Sequence, residues 1–255
     1  MTTIQQHFAC NGVASTDFTC GCEFEIEDVK GLGKLTSAQF IVEEDASLRN
    51  NGKEFKTHPN GYTRTLELFK TLHEQLVLGP EPFTERTSTH VHVNVAHLTL
   101  CQTRQLVLTY ALLEPVLFKF VGDKRANSIF CVPLNFTYLP GHYKNDITTM
   151  HSKWHKYTAF NIRPLNHLGT VEFRHLYGTN NEAVFTTWLS TLKELYEFIR
   201  DTPDWDVVKA LQTATPYEVA QQVIPTLTKV YQQAEIHHLL KDTSLDVKLS
   251  VGGLK

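Results

Sequence analysis

The stretch GCEFEIE, Gly21 to Glu27, places a glutamate at every second position. Read as a strand of period two, it sets Glu23, Glu25 and Glu27 on one face and Cys22, Phe24 and Ile26 on the other. Like charges at this spacing repel one another unless water or a cation covers them. Divalent metal binding is the chemistry such a face invites. The plain alternative is a solvated edge strand with acidic outer residues. Other segments offer polar faces of the same kind. TSTHVHVNV alternates Val91, Val93 and Val95 with His90, His92 and Asn94. YTAFNIRPL puts Asn161 and Arg163 on one face, GTVEFRHLY does the same for Glu172 and Arg174, and Glu54 emerges from an Asn-Asn-Gly turn.

The donor types bear on which metal this would be. His-x-His on a strand is a zinc arrangement, and a zinc hydrolase needs two or three such donors with a carboxylate and an open position. Here carboxylates outnumber imidazoles, which favours Mg2+ or Mn2+, hard ions usually held together with phosphates. Arginines on the same face complement phosphate oxygens, since guanidinium binds them bidentately. Metal, phosphate and arginine together point to nucleotide-dependent phosphoryl chemistry. No GxxxxGK[ST] occurs, so a P-loop is not the route.

These faces must be held by a scaffold. Residues 1–18 are polar and aperiodic and read as a lead-in. A first strand over about 19–28, the turn KGLGK and a second strand near Leu35 to Glu43 form an expected hairpin. Apolar spacing predicts a helix over Tyr62 to Leu78. Thr99 with Gln102 forms a capping box for a buried helix from about Leu100 to Phe120, with a bend near Pro115. Gly122 to Trp154 reads as loop, with PGHYKNDITT as a mobile cover. A hairpin turns around Asn166 to Gly169, and its alternation sends His175 and Tyr177 toward the helices. An amphipathic helix carries Phe185, Trp188, Leu189 and Leu192, another runs from Thr215 to about Leu240, and the tail from Asp242 is expected to be loosely ordered.

The expected fold is α+β: a curved, mainly antiparallel sheet with helices on its convex side and the polar faces lining the concave side. The expected divisions are a lead-in (1–18), a catalytic domain (19–203), a C-terminal helical region (204–241) and a tail (242–255).

Composition sets outer bounds. With 255 residues the chain can bury a substantial core. A formal net charge of −3 gives no field that would make nucleic acid or a membrane the main partner. No run is apolar enough to span a bilayer and the N-terminus lacks signal-peptide regions, so a cytoplasmic location is expected. Five scattered cysteines read as thiols rather than a disulfide framework, and Cys20-x-Cys22 has no second pair to complete a zinc site.

Five motifs occur in one order: GCEFEIE, EDASL with Glu54 downstream, THVHV, DKRANSIFC, and NIRPL with GTVEFRHLYGT. In this the chain resembles the amidoligase family over roughly residues 19 to 200. That family is a phage and bacterial branch of the carboxylate-amine ligases that include glutamine synthetase and gamma-glutamylcysteine ligase. The resemblance implies a glutamine synthetase-like catalytic domain that uses ATP and Mg2+ (or Mn2+) to activate a carboxylate as an acyl phosphate for attack by an amine. It implies that Glu23, Glu25, Glu54, His92 and Glu172 form two metal positions. Arg174, with Arg125 and Arg163, would bind nucleotide phosphates or the developing acyl phosphate, with Asn161 beside them. Asp45 and Ser47 would position substrate, and His90 would stand by as a substrate contact or, with Glu27, as a base. Glu27 reads equally as a solvated strand end, and Arg163 as a structural ion-pair partner. The implied partners are small-molecule or peptide carboxylates and amines, with a modified nucleobase as one option, and a homo-oligomer is compatible. Two other readings stay open: a metal-dependent hydrolase using His90 and His92 with glutamates, and a non-catalytic binding protein on the ligase fold.

Overall fold

A computed structural model describes residues 1–134 and 146–252. The strands are β1 (Thr19–Ile26), β2 (Val29–Gly31), β3 (Phe40–Glu43), β4 (Lys53–Thr57), β5 (Asn60–Gly61), β6 (Val77–Leu78), β7 (Ser88–Asn94), β8 (Phe160–Asn161) and β9 (Thr170–Tyr177). The helices are α1 (Ile4–Phe8), α2 (Tyr62–Gln75), α3 (Leu100–Val121), α4 (Asp123–Ala126), α5 (Ile147–Lys153), α6 (Glu182–Asp201), α7 (Val207–Thr213), α8 (Pro216–Val223), α9 (Pro225–Thr228) and α10 (Gln233–Gly252). The fold is thus α+β. Its main sheet has the order β3-β4-β1-β7-β9-β8, with β5 also beside β1, and each of these pairs is antiparallel.

The alternation read in the sequence decides which face is covered. Cys20, Cys22, Phe24 and Ile26 of β1 and Val91 and Val93 of β7 are buried. Phe24 meets Phe69 of α2 and Phe185 of α6 at ring-centroid distances of 5.8 and 5.6 Å. On the next strands Phe160 stacks on Tyr110 of α3 at 4.4 Å. Burying each such ring contributes roughly 1.5–3 kcal/mol. Helices α2, α3 and α6 therefore pack on one face of the sheet, and the glutamates and histidines point to the other.

Several expectations need correction. The first strand does not form a hairpin with the second: β4 inserts between β1 and β3, while β2 pairs with β6. The NNG turn makes this insertion possible, because Asn50 and Asn51 adopt φ of 51° and 58° and return the chain along β3. The lead-in is docked. Thr3 and Gln6 form a capping box on α1, Ile4 is buried, and its backbone N–H donates to the Leu98 carbonyl at 2.9 Å.

The loop expected over 122–154 contains α4 and α5, the latter capped by Asp146, whose Oδ1 accepts from the Thr149 N–H at 2.9 Å. The cover expected at PGHYKNDITT lies outside the described residues as far as residue 145. The single helix expected from Thr215 is divided among α8, α9 and α10, since Pro225 cannot donate the bond that would continue α8. The tail is likewise ordered as helix through Gly252. Leu240, Thr243 and Val247 lie at spacings of three and four and are buried, and the Thr243 hydroxyl donates to the Leu112 carbonyl of α3 at 3.0 Å.

Candidate metal centre and adjoining cavity

Strand register brings residues far apart in sequence onto one face. Glu23 stands opposite His90 on one side and Lys56 on the other, Glu25 opposite Glu54, His92 opposite Glu172, and Glu172 opposite Asn161. Two groups of donors result. In one, Glu23, His92 and Glu172 hold ligand atoms all within 4.8 Å of one another; in the other, Glu25, Asp45 and Glu54 do the same. Every residue expected at a metal is in one of the two groups. Asp45, expected to position substrate, joins the second group, held by an Asx turn in which its Oδ1 accepts from the Ser47 N–H at 2.7 Å.

His90 lies between the groups and is almost fully buried. Its Nδ1 is 3.3 Å from Glu23 and 3.5 Å from Glu172, and its Nε2 is 3.9 Å from Glu25 and 2.8 Å from the Ser88 hydroxyl. Ser88 in turn donates to Glu25 at 2.5 Å. Glu172 accepts from the Asn161 amide at 2.7 Å through Oε2 and from Arg174 Nη1 through Oε1. Lys56 bridges Glu54 and Glu43 at 2.8 and 2.7 Å.

Burial pushes the Glu23 carboxyl up, but hydrogen bonds and charge from His90 and His92 outweigh it and hold the group far below the carboxylate range. Glu172 resists burial in the same way through His90, His92 and Arg174, and stays low. His92, for which burial favours the neutral form, is raised by Glu23 and Glu172. Glu54 is raised, chiefly by burial, although Lys56 opposes the shift. Glu23, Glu25, Asp45, Glu54 and Glu172 bring five carboxylates against the two fixed cations Lys56 and Arg174. The oxygen-rich donors, with one imidazole, fit Mg2+ or Mn2+ in two neighbouring positions.

A bulge in β9 reshapes one end of this face. Val91 pairs with Phe173 and Thr89 with Leu176, so His90 alone stands opposite two residues, Arg174 and His175. The side-chain alternation shifts by one at this point. His175 stays in the core against Tyr110, Phe118 and Trp188, as expected, but Tyr177 does not join it. Tyr177 pairs with Ser88, is exposed, and lines a cavity. The carbonyls at the bulge are taken by Arg125, whose Nε donates to His175 O at 2.8 Å and whose Nη2 donates to Arg174 O at 2.6 Å. Arg125, expected at phosphates, is buried with those donors on backbone.

The cavity has a volume of about 990 Å³ and lies at the Tyr177 end of β9. Phe83, Phe130, Tyr177, Arg86 and Lys124 are among the residues of its wall. Its wall meets the donor strands indirectly, through hydrogen bonds to Arg174 and Glu27, each two residues from a donor. The Phe130 carbonyl accepts from Arg174 Nε at 3.1 Å, and Thr84 donates its hydroxyl to Glu27 at 2.9 Å.

Glu27 is neither solvated nor placed as a base. It is buried, and its other oxygen accepts from the Arg49 N–H at 2.6 Å, tying two loops beneath the face. Arg163 is exposed on the 3-10 turn Arg163–Asn166 and reaches the Trp154 carbonyl at 3.5 Å, apart from the donor groups. Ser47 contributes backbone, its carbonyl accepting from Arg86 Nη1 at 2.9 Å. Asn94 is covered by the N-terminal segment, donating to the carbonyls of Val13 and Ser15 at 3.0 and 3.3 Å. Cys20 and Cys22 are free thiols buried on the helix side, and Cys131 is a buried free thiol as well. Lys56 and Ser88 are not among the residues singled out from the sequence, and Tyr177 was expected on the helix side. Lys56 and Ser88 follow from continuing the alternation of Glu54 and His90 by two residues.

Comparison with protein-family models and with curated proteins returns no match. No helix among the described residues is long and apolar enough to cross a membrane.

Proposed function

We propose that the protein is an ATP-dependent carboxylate-amine ligase that works with Mg2+ or Mn2+. The observation that carries this reading is the pair of donor groups, Glu23/His92/Glu172 and Glu25/Asp45/Glu54, adjoining on β1 with Arg174 on Glu172. The antiparallel sheet with one face polar and the other under helices is compatible with the curved, glutamine synthetase-like domain implied by the motifs.

Phosphorylating a carboxylate brings two anions together, so the barrier is largely electrostatic. Bound divalent ions would supply that neutralisation. The chain's own residues do the rest. The carboxylates fix where positive charge sits, and Arg174, held between Phe130 O and Glu172, keeps a guanidinium beside it. The aromatic walls and Arg86 suit the cavity to a nucleotide, with Lys124 paired to Glu85 at its edge. The amide forms when an amine displaces phosphate from the acyl phosphate and loses a proton. His90, within reach of carboxylates of both donor groups, is a candidate to accept that proton.

The test is ADP release from ATP and Mg2+ with a pool of carboxylates, a pool of amines, and both together. Release that needs both pools and is lost in Glu172→Gln supports the ligase. Zn2+-dependent cleavage of esters or amides without ATP would replace it with the hydrolase.

A further inference from the structure

The bulge in β9 and the loop that holds it assign Arg125 a part other than ligand binding. We propose that Arg125 is a positioning residue: by holding the two carbonyls at the bulge, it sets Arg174 on Glu172 and turns Tyr177 into the cavity. This rests on the metal reading of the acidic face, but the clamp itself is independent of it.

The bulge breaks the β7–β9 register at Arg174 and His175, and on the β8 side the Ala159 N–H that would answer the Arg174 carbonyl donates instead to Val132 O at 2.8 Å. A guanidinium can answer both carbonyls, because its Nε and Nη2 donors are rigidly spaced in one plane. Arg125 does so at 2.8 and 2.6 Å from a buried position. Lysine could satisfy one carbonyl, and a neutral apolar side chain neither, leaving buried carbonyls unpaired. The segment that carries Arg125 also carries Phe130, whose carbonyl accepts from Arg174 Nε at 3.1 Å. One loop thus grips β9 at its backbone and Arg174 at its side chain. Without the bulge, Tyr177 would share the helix-facing side with Leu176's neighbours in a regular alternation, and the cavity would lose that wall.

The consequence is measurable at the metal. Arg174 Nη1 sits on Oε1 of Glu172, the oxygen that is also nearest His90 and His92. It therefore competes with a cation for that oxygen. Removing Arg174 should tighten Mn2+ binding, by at least about fivefold even at water-like screening. If Arg125 holds Arg174 there, removing Arg125 tightens Mn2+ binding in the same direction, and removing both adds nothing further. A merely structural residue would weaken metal binding or leave it unchanged.

The experiment is Mn2+ titration followed by the electron paramagnetic resonance of free Mn2+, on wild type, Arg125→Lys, Arg125→Met, Arg174→Met and the Arg125→Met/Arg174→Met double variant. Hydrogen exchange over residues 171–178 runs alongside. Expected are tighter binding in Arg125→Met, an intermediate value in Arg125→Lys, a double variant equal to Arg174→Met, and faster exchange confined to β9 and the 127–134 segment. Should Arg125→Met fail to fold, Arg125→Lys carries the same comparison. Unchanged or weaker Mn2+ binding in the Arg125 variants, or effects that add fully in the double variant, overturns the proposal. Wild type that binds no Mn2+ counts against the metal reading; hydrogen exchange then decides the clamp, and unchanged protection of β9 overturns it.

Discussion

His90 Nδ1 lies 3.3 Å from Oε2 of Glu23, directly across the β1–β7 ladder, and the same imidazole reaches Glu25 with its other nitrogen. One buried ring therefore holds apart and partly satisfies carboxylates of both donor groups. In His90→Ala those carboxylates would lose the imidazole between them, keeping only His92 on Glu23 and Ser88 on Glu25. Without metal, the variant should lose about 1–3 kcal/mol of stability, measured by urea unfolding. Mg2+ should restore more stability to it than to wild type, since cations then meet a less satisfied face.

Lys56 is the counter-ion of Glu54 and Glu43, which face each other across β3 and β4. Lys56→Met removes a competitor for Glu54 and leaves like charges opposed. Its metal-free stability should fall by up to about 1 kcal/mol, while its rise in Tm on adding Mg2+ should exceed that of wild type. An equal rise would place the second metal position away from Glu54.

His175 makes a pH prediction. Burial, with Arg125 nearby, pushes its imidazole down to about 3, and its Nδ1 has no hydrogen-bond partner. The unfolded chain binds that proton near pH 6.5, so the folded state binds fewer protons below it. The contribution of neutral His175 is complete above about pH 6.5 and is lost as pH falls toward 3, at roughly 1.4 kcal/mol per pH unit. His175→Gln should flatten the decline in stability between pH 6 and pH 4.5, measured by urea midpoints. A slope equal to that of wild type would contradict the burial of a neutral ring.

The C-terminal helix is a further test. Ending the chain after Lys241 removes the buried Val247 and the hydrogen bond from Thr243 to α3. Those contacts together correspond to about 3 kcal/mol, so thermal unfolding of the shortened chain should show a clear drop in Tm. No drop would mean that residues 242–252 do not pack on α3.

Much of the candidate site was legible because strand alternation is a strong local signal. Glu23 with Glu25, His90 with His92, and Glu172 with Arg174 share a face in the sequence pattern and in the structure. What sequence could not supply was pairing. That β4 inserts beside β1, setting Lys56 against Glu23 and Glu54 against Glu25, depends on contacts between distant segments. Alternation also misplaced Tyr177, because a bulge shifts the period by one and GTVEFRHLY carries no glycine at the bulge to announce it. Asn94 and Glu27 fit the polar pattern, yet loops cover both, and coverage is a property of tertiary structure. The ordered tail was missed because Leu240, Thr243 and Val247 make only a narrow stripe on a polar helix, too weak a signal without α3 in place.

The measurement that bears most directly on the central claim is thermal unfolding with Mg2+, with ATP and with both, on wild type and on Glu23→Gln. A protein that binds metal and nucleotide together on this face is stabilised by mass action when both are present. The prediction is a rise in Tm that requires ATP and Mg2+ jointly and disappears in Glu23→Gln. Indifference to nucleotide, with stabilisation by Zn2+ alone, would contradict the ligase and leave the hydrolase.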